Sequence, residues 1–185
     1  MNSEGVCVGI NNLTALDGRP GVAWTSVVRG MLTTSNARDA LDVLLGADLA
    51  GAHNFLIFDA NGEGYNVEAM PSARPVTKLD ADPIAHTNHA IDEGARAFEV
   101  TRDPPLLASS QTRLDTATEL IADGPVDVRR LFDLTAEPGA ICQQPAEPYH
   151  MESSGGAVMR PRTGEFWACW GPPADNDYVA VAAHP

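Results

Sequence analysis

Four consecutive residues, His86-Thr87-Asn88-His89, bring a side-chain amide, a hydroxyl and two imidazoles together directly after the short apolar run Pro83-Ile84-Ala85. An Asn amide held at a strand end can donate to a developing oxyanion, and preorganised donors of this kind often supply the largest single term in acyl-transfer catalysis. The tetrapeptide therefore points to acyl chemistry with Asn88 as the donor, although taken alone it reads first as a turn capped by Asn. His86 and His89 are three residues apart and could both meet a metal, but no clear carboxylate or Cys partner accompanies them. They read as buried or supporting histidines, and neither a metal nor a cofactor is expected.

The nucleophile for such chemistry is harder to find. Cys7 is the one cysteine near the N-terminus, and it sits between Val6 and Val8 in an apolar strand. Buried thiols in such surroundings have raised pKa values and are inert, so Cys7 reads as core. No Cys, Ser or Thr opens the chain, and Met1 leads straight into what reads as a strand. The expectation is an N-terminally incomplete domain: part of an active site without its nucleophile.

Elements must hold these residues in place. Gly5 to Leu13 has the β-rich, Gly-punctuated character of a buried strand, broken by Asp17-Gly18-Arg19-Pro20-Gly21. From Val22, the residues Trp24, Val27, Val28, Met31 and Leu32 keep helical spacing as ordinary core. Thr33 to Asn36 ends that helix and caps a second one, with Ala37, Ala40, Leu41, Leu44 and Leu45 on one face and a stop at Gly46. His53 to Asp59 and Glu63 to Ala69 form a hairpin around Ala60-Asn61-Gly62, with Asn-Gly supplying positive φ. Further strands are expected over Arg74 to Leu79 and in the run leading into His86. Two helices follow, Thr112 to Ala122 and Asp127 to Leu134, separated by Gly124-Pro125. A second hairpin, Ala157 to Arg160 with Glu165 to Trp170, and a last strand, Tyr178 to Ala182, complete an α+β order with largely antiparallel sheets.

At 185 residues, 44% of them hydrophobic, the chain suits one core and hence a single domain over residues 1–185. The formal charge of −13, without any Lys/Arg block, argues against nucleic acid or anionic membrane surfaces as partners. Apolar runs stay short of the ~18 residues of a spanning helix, and no signal-peptide pattern opens the chain. Three widely separated cysteines without a C-x-x-C pair argue against a disulfide framework, and the chain reads as cytoplasmic.

Read together, Met1 to Leu13, the helix pair, His53-Asn54-Phe55-Leu56, Asn66-Val67-Glu68, His86-Thr87-Asn88-His89, Ala157-Val158-Met159 and Trp167 to Pro173 resemble the isopenicillin N acyltransferase-like family. These acyl-CoA:6-aminopenicillanate acyltransferases are cysteine N-terminal nucleophile (Ntn) hydrolases, cousins of the choloylglycine hydrolases. The resemblance implies a four-layer αββα sandwich and covers the C-terminal portion of such a protein. It implies that a Cys exposed by precursor cleavage attacks an amide or thioester while its own α-amine, titrating at about pH 7.7–8, acts as base. Asparagines would hold the oxyanion: Asn88, and Asn12 at the end of the first strand. Because Asn11 and Asn12 alternate faces, only one of them can point at the site. Thr87, His86, His89 and Asn11 are then expected in the substrate-binding or supporting shell. Relatives often carry an Arg after the Cys matched by Cys142, whereas no Arg lies between Arg130 and Arg160 here. Gln143 and His150 are the candidates for its space, without its fixed donor fork.

Three functions compete. The first is amide or thioester acyl transfer or hydrolysis on a small acyl substrate, inactive in this chain alone. The second is a non-catalytic remnant that binds a ligand or partner; the third is a thiol hydrolase using Cys7 with His86 or His89. An unpaired sheet edge would also favour association with another copy of the chain.

Overall fold

The computed structural model describes residues 1–122 and 124–182; residue 123 and residues 183–185, the end of the expected domain, lie outside the described residues. The first sheet consists of β1 (Cys7–Asn12), β2 (His53–Phe58), β3 (Gly64–Ala69) and β4 (Val76–Lys78), in that order and antiparallel throughout. Its strands alternate as the sequence requires. Phe55 and Ile57 of β2 and Tyr65, Val67 and Ala69 of β3 share one face. That face packs against α1 (Trp24–Met31) and α2 (Ala37–Gly46) through Val27, Met31, Ala40, Leu41 and Leu44. Trp24 lies at the rim, partly exposed, with its ring 5.3 Å from that of His53.

Local chemistry fixes the joints. The Asn36 side chain accepts from Asp39 N at 2.8 Å and caps α2. Asp59 ties the β2–β3 loop to that same helix end, its Oδ2 accepting from Ala37 N at 3.0 Å and its Oδ1 from Asn61 N and Glu63 N. The loop departs from the expected Asn-Gly turn. It runs five residues from Asp59 to Glu63, only Gly62 takes positive φ, and the Asp59 carboxylate replaces the second left-handed residue. Helix α1 also starts later than Val22, because Val22 bridges to Leu49 instead.

The second half holds α3 (Glu93–Arg96), α4 (Pro104–Ala122), α5 (Val128–Thr135) and a second antiparallel sheet, β5 (Gly155–Arg160), β6 (Glu165–Trp170) and β7 (Val179–Ala180). α5 packs on this sheet, with Phe132 stacked on Tyr178 at 4.2 Å and edge-on to Trp167. A cavity of about 450 Å³ lies where β1 and β2 meet α5 and β5; Cys7, Leu56, Leu131 and Met159 are in its wall.

Two expectations need correction. α4 begins at Pro104, not near Thr112, because Pro104-Pro105 occupies the first turn, where the missing N–H groups would have had no partners anyway. The run Pro83 to Ala85 forms no strand: Pro83 cannot donate to a ladder, and residues 81–85 line an open cleft against α4. Asn88 therefore does not stand at a strand end. The architecture is mixed α and β with antiparallel sheets. Among the described residues no helix is long and apolar enough to cross a membrane.

Candidate active site

The face of the first sheet turned away from α1 and α2 carries a polar row. Register places Asn11 of β1 opposite Asn54 of β2, and Asn54 opposite Glu68 of β3. Asn54 Nδ2 approaches Asn11 Oδ1 at 3.5 Å, and Glu68 is only 2% exposed. A carboxylate in such a place needs compensation, and it has three donors. Glu68 Oε1 accepts from His86 Nε2 at 2.7 Å and Ile91 N at 2.6 Å, while Oε2 accepts from Asp92 N at 2.9 Å. Burial pushes the Glu68 carboxyl up, but the bonds from His86 and the two amides outweigh it and leave its pKa below the ordinary value. His86 Nδ1 faces Thr87 O at 2.8 Å, so the ring is held between the Glu68 carboxylate and a backbone carbonyl. His86 thus has a carboxylate partner after all, supplied from β3 and not from its own segment.

α4 braces the other side of the tetrapeptide through Ser110, which is fully buried. Ser110 Oγ accepts from Asn88 N at 2.8 Å and lies 2.8 Å from His89 Nδ1 and 3.1 Å from Thr87 Oγ1. Thr87 Oγ1 in turn donates to Ser110 O at 3.0 Å. A Ser–His contact of this length has the geometry of a nucleophile and its base. Here the hydroxyl has no exposed surface and already receives the Asn88 amide, so it acts as a strut. Burial first, and then the charges of His86 and Arg96, hold His89 below the ordinary imidazole value.

Asn88 is gripped at both ends of its amide. Nδ2 donates to Asn12 O at 3.3 Å, and Oδ1 accepts from Arg113 Nη2 at 3.0 Å. Arg102 Nη2 donates to the same Asn12 oxygen at 3.0 Å. Asn12 therefore meets Asn88 through its backbone carbonyl; its side chain belongs to the face of Ile10 and His53, and Asn11 is the neighbour on the Glu68 face. Arg113 lies partly buried on α4, where burial and then the charge of Arg102 lower its pKa. The guanidinium beside Asn88 thus comes from α4, not from the segment around Cys142. Gln143 is occupied with Ser109 Oγ at 2.8 Å, and His150 is exposed beside Glu147.

Cys7 lies at the other end of β1 from Asn11, roughly 13 Å away at the rise of a strand. Burial raises its thiol pKa, and it makes no hydrogen bond to His86 or His89, so the pairing of Cys7 with either histidine is not formed. Among the described residues no group of three or more His, Cys, Asp or Glu side chains converges as metal ligands would. What the site offers is a fixed amide with the Arg113 guanidinium on its oxygen and Arg102, itself 3.9 Å from Glu99, on the adjoining Asn12 carbonyl.

The sequence matches the family described as acyl-coenzyme A:6-aminopenicillanic acid acyl-transferase over residues 1–175. The chain belongs to this family. The resemblance read from the ordered motifs therefore holds. A conjugated bile acid hydrolase from Clostridium perfringens, solved as a single-residue variant, is similar in structure with a TM-score of 0.65. The similarity covers 97% of this chain and 70% of that one at 9% identity, and it shows a shared fold. No curated protein matches the sequence. Sequence reasoning singled out the tetrapeptide but gave no role to Glu68, Ser110, Arg102 or Arg113, which the fold brings against it. A signal was present for Glu68: an acid at an inward-facing position of a buried strand requires a partner.

Proposed function

We propose that this chain contributes the oxyanion-stabilising part of a cysteine Ntn-type acyl site acting on an amide or thioester of a small acyl substrate. The carrying observation is the Asn88 amide, held by Asn12 O and Arg113 and braced beneath by Ser110. One Nδ2 proton is used by Asn12, and the second is free to meet an oxyanion. The Arg113 guanidinium adds positive potential where charge would develop, while Arg102 is offset by Glu99 at 3.9 Å. His86, Thr87 and His89 hold that geometry from within the fold, with Asn11 beside them on the polar face of the sheet. In this reading the sheets complete a four-layer αββα sandwich. The nucleophile in this reading is a Cys thiolate whose own α-amine serves as base. Three free, buried thiols support work in a reducing compartment such as the cytoplasm.

The test compares hydrolysis of acyl-amino acids, penicillins and acyl thioesters by the chain alone and by the chain extended upstream to the nearest in-frame Cys codon. Background rates are expected for the first and turnover for the second. Asn88→Ala in the extended chain should lower kcat per folded molecule by ~10²–10³, the usual cost of one oxyanion donor, in addition to the fall in Tm from its lost bonds to Asn12 O and Arg113. A lower Tm with unchanged kcat would make Asn88 a turn cap and sink this assignment. The second reading, a non-catalytic remnant that binds a ligand, is favoured by the burial of Cys7 and Ser110; an extended chain without turnover would support it.

A further inference from the structure

We infer that Arg113 is a positioning residue that sets which end of the Asn88 amide faces outward. This rests on the assignment of Asn88 as the oxyanion donor. An Asn side chain has a donor end and an acceptor end of nearly the same shape, and only the donor end can serve an oxyanion. Two contacts distinguish them here. Asn12 O is an acceptor and demands Nδ2; Arg113 Nη2 is a donor and demands Oδ1. Turning the amide over would set oxygen against oxygen and N–H against N–H, losing both bonds at once. The charged contact is the stronger of the two, since hydrogen bonds to ions exceed neutral ones.

Arg113 is suited to this task by what surrounds it. Among the described residues it has no carboxylate partner, so its charge is not neutralised within its own helix. Arg102, the second guanidinium, lies close enough to lower the Arg113 pKa and donates to the far side of the same assembly, at Asn12 O. The chain of contacts runs from Arg102 to the Asn12 carbonyl, through the Asn88 amide, to Arg113. A cation on Oδ1 draws density through the conjugated amide and leaves the outward Nδ2–H a better donor. Lys could supply the charge but not the planar, directed donor fork.

The inference is readable without turnover. In the ¹⁵N-labelled chain, the side-chain NH₂ pair of Asn88 is assigned by its loss in Asn88→Ala. The pair should show two separated proton signals with slow hydrogen exchange. In Arg113→Met it should move toward the position of a solvated Asn and exchange at least about tenfold faster, the factor matching one lost charge-assisted bond. Arg113→Lys should lie between. Backbone signals of β1 to β3 report whether each variant is folded. Should the Met variant not fold, Arg113→Lys decides, because an ammonium on a flexible stem cannot hold the same contact. An Asn88 pair unmoved in the folded variant overturns the inference while leaving the catalytic reading of Asn88 intact. Conversely, a shifted pair together with an Asn88→Ala variant of the extended chain that keeps its kcat would uphold the lock and remove its catalytic purpose.

Discussion

The first sheet shows two faces built from the same strands. On one, Phe55, Ile57, Tyr65 and Val67 meet Val27, Met31, Leu41 and Leu44 in a dry contact that any similar apolar residues could form. On the other, Asn11, Asn54 and Glu68 form a polar row whose every atom asks for a specific partner. The apolar face is held by area and tolerates volume-conserving exchange. The polar face is held by directed bonds from residues distant in the chain, and it fails if one partner is lost. Packing and chemistry thus occupy alternate residues of one strand, and the first supports the second: the helix pair fixes β3, and β3 holds Glu68 under the loop that carries Asn88.

The largest expected effect comes from breaking the polar face. Glu68→Ala leaves His86 without its carboxylate and two backbone amides, Ile91 N and Asp92 N, without acceptors. Leaving a buried donor unsatisfied costs about 1–3 kcal/mol each and three are stranded here, so the urea midpoint should fall sharply. Leu44→Ala on the apolar face falls in the range of about 2–5 kcal/mol by cavity formation. The two variants separate on lowering the pH. Glu68 has a folded pKa below its unfolded value. Its contribution is present above the unfolded value and is lost as pH falls through the folded one. The Leu44→Ala penalty should stay constant through that acid range, and the Glu68→Ala penalty should shrink. Equal pH dependence in the two would refute the role given to Glu68.

Ser110→Ala should cost less, about 1–3 kcal/mol, because it strands the buried Asn88 N–H and removes one contact each from Thr87 and His89. A midpoint within error of the unmodified chain would mean that water or a backbone shift replaces the hydroxyl. This strut also shows why the sequence discloses one face better than the other. The helix pair, both hairpins and the core follow from apolar period and turn residues within a short window, as Leu41 with Leu44 or Phe55 with Ile57 illustrate. The site is assembled across long separations: Asn12 meets Asn88 76 residues on and Arg102 90 residues on. No local period records such contacts. Two local readings also differ from the structure. The helix expected over Thr112 to Ala122 begins at Pro104 instead, and the turns missed at its start carry Ser110. The run before His86 reads as a strand, yet side-chain bonds from Glu68 and Ser110, not a ladder, hold the tetrapeptide.

The smallest effect concerns His89, which stands where the polar face meets α4. Burial, then the charges of His86 and Arg96, lower its pKa; Glu68 acts in the opposite sense, and Arg102 adds a small further lowering. The folded state therefore prefers the neutral ring more than the unfolded chain does. As pH drops through the unfolded value near about 6.5, the unfolded chain binds a proton that the folded state refuses. Stability must then fall with falling pH, by less than about 1.4 kcal/mol per pH unit for a single proton, until the folded ring titrates as well. His53, whose pKa burial also lowers, contributes with the same sign, so the two must be separated by variants. His89→Gln should remove one part of the slope between pH 7 and 5, and His53→Gln the other. A stability difference between the His89→Gln variant and the unmodified chain that stays flat over this range would show that His89 is not held neutral by its surroundings. In that case the ring takes up its proton as readily in the folded chain as in the unfolded one, and its contact with Ser110 Oγ does not select the neutral form.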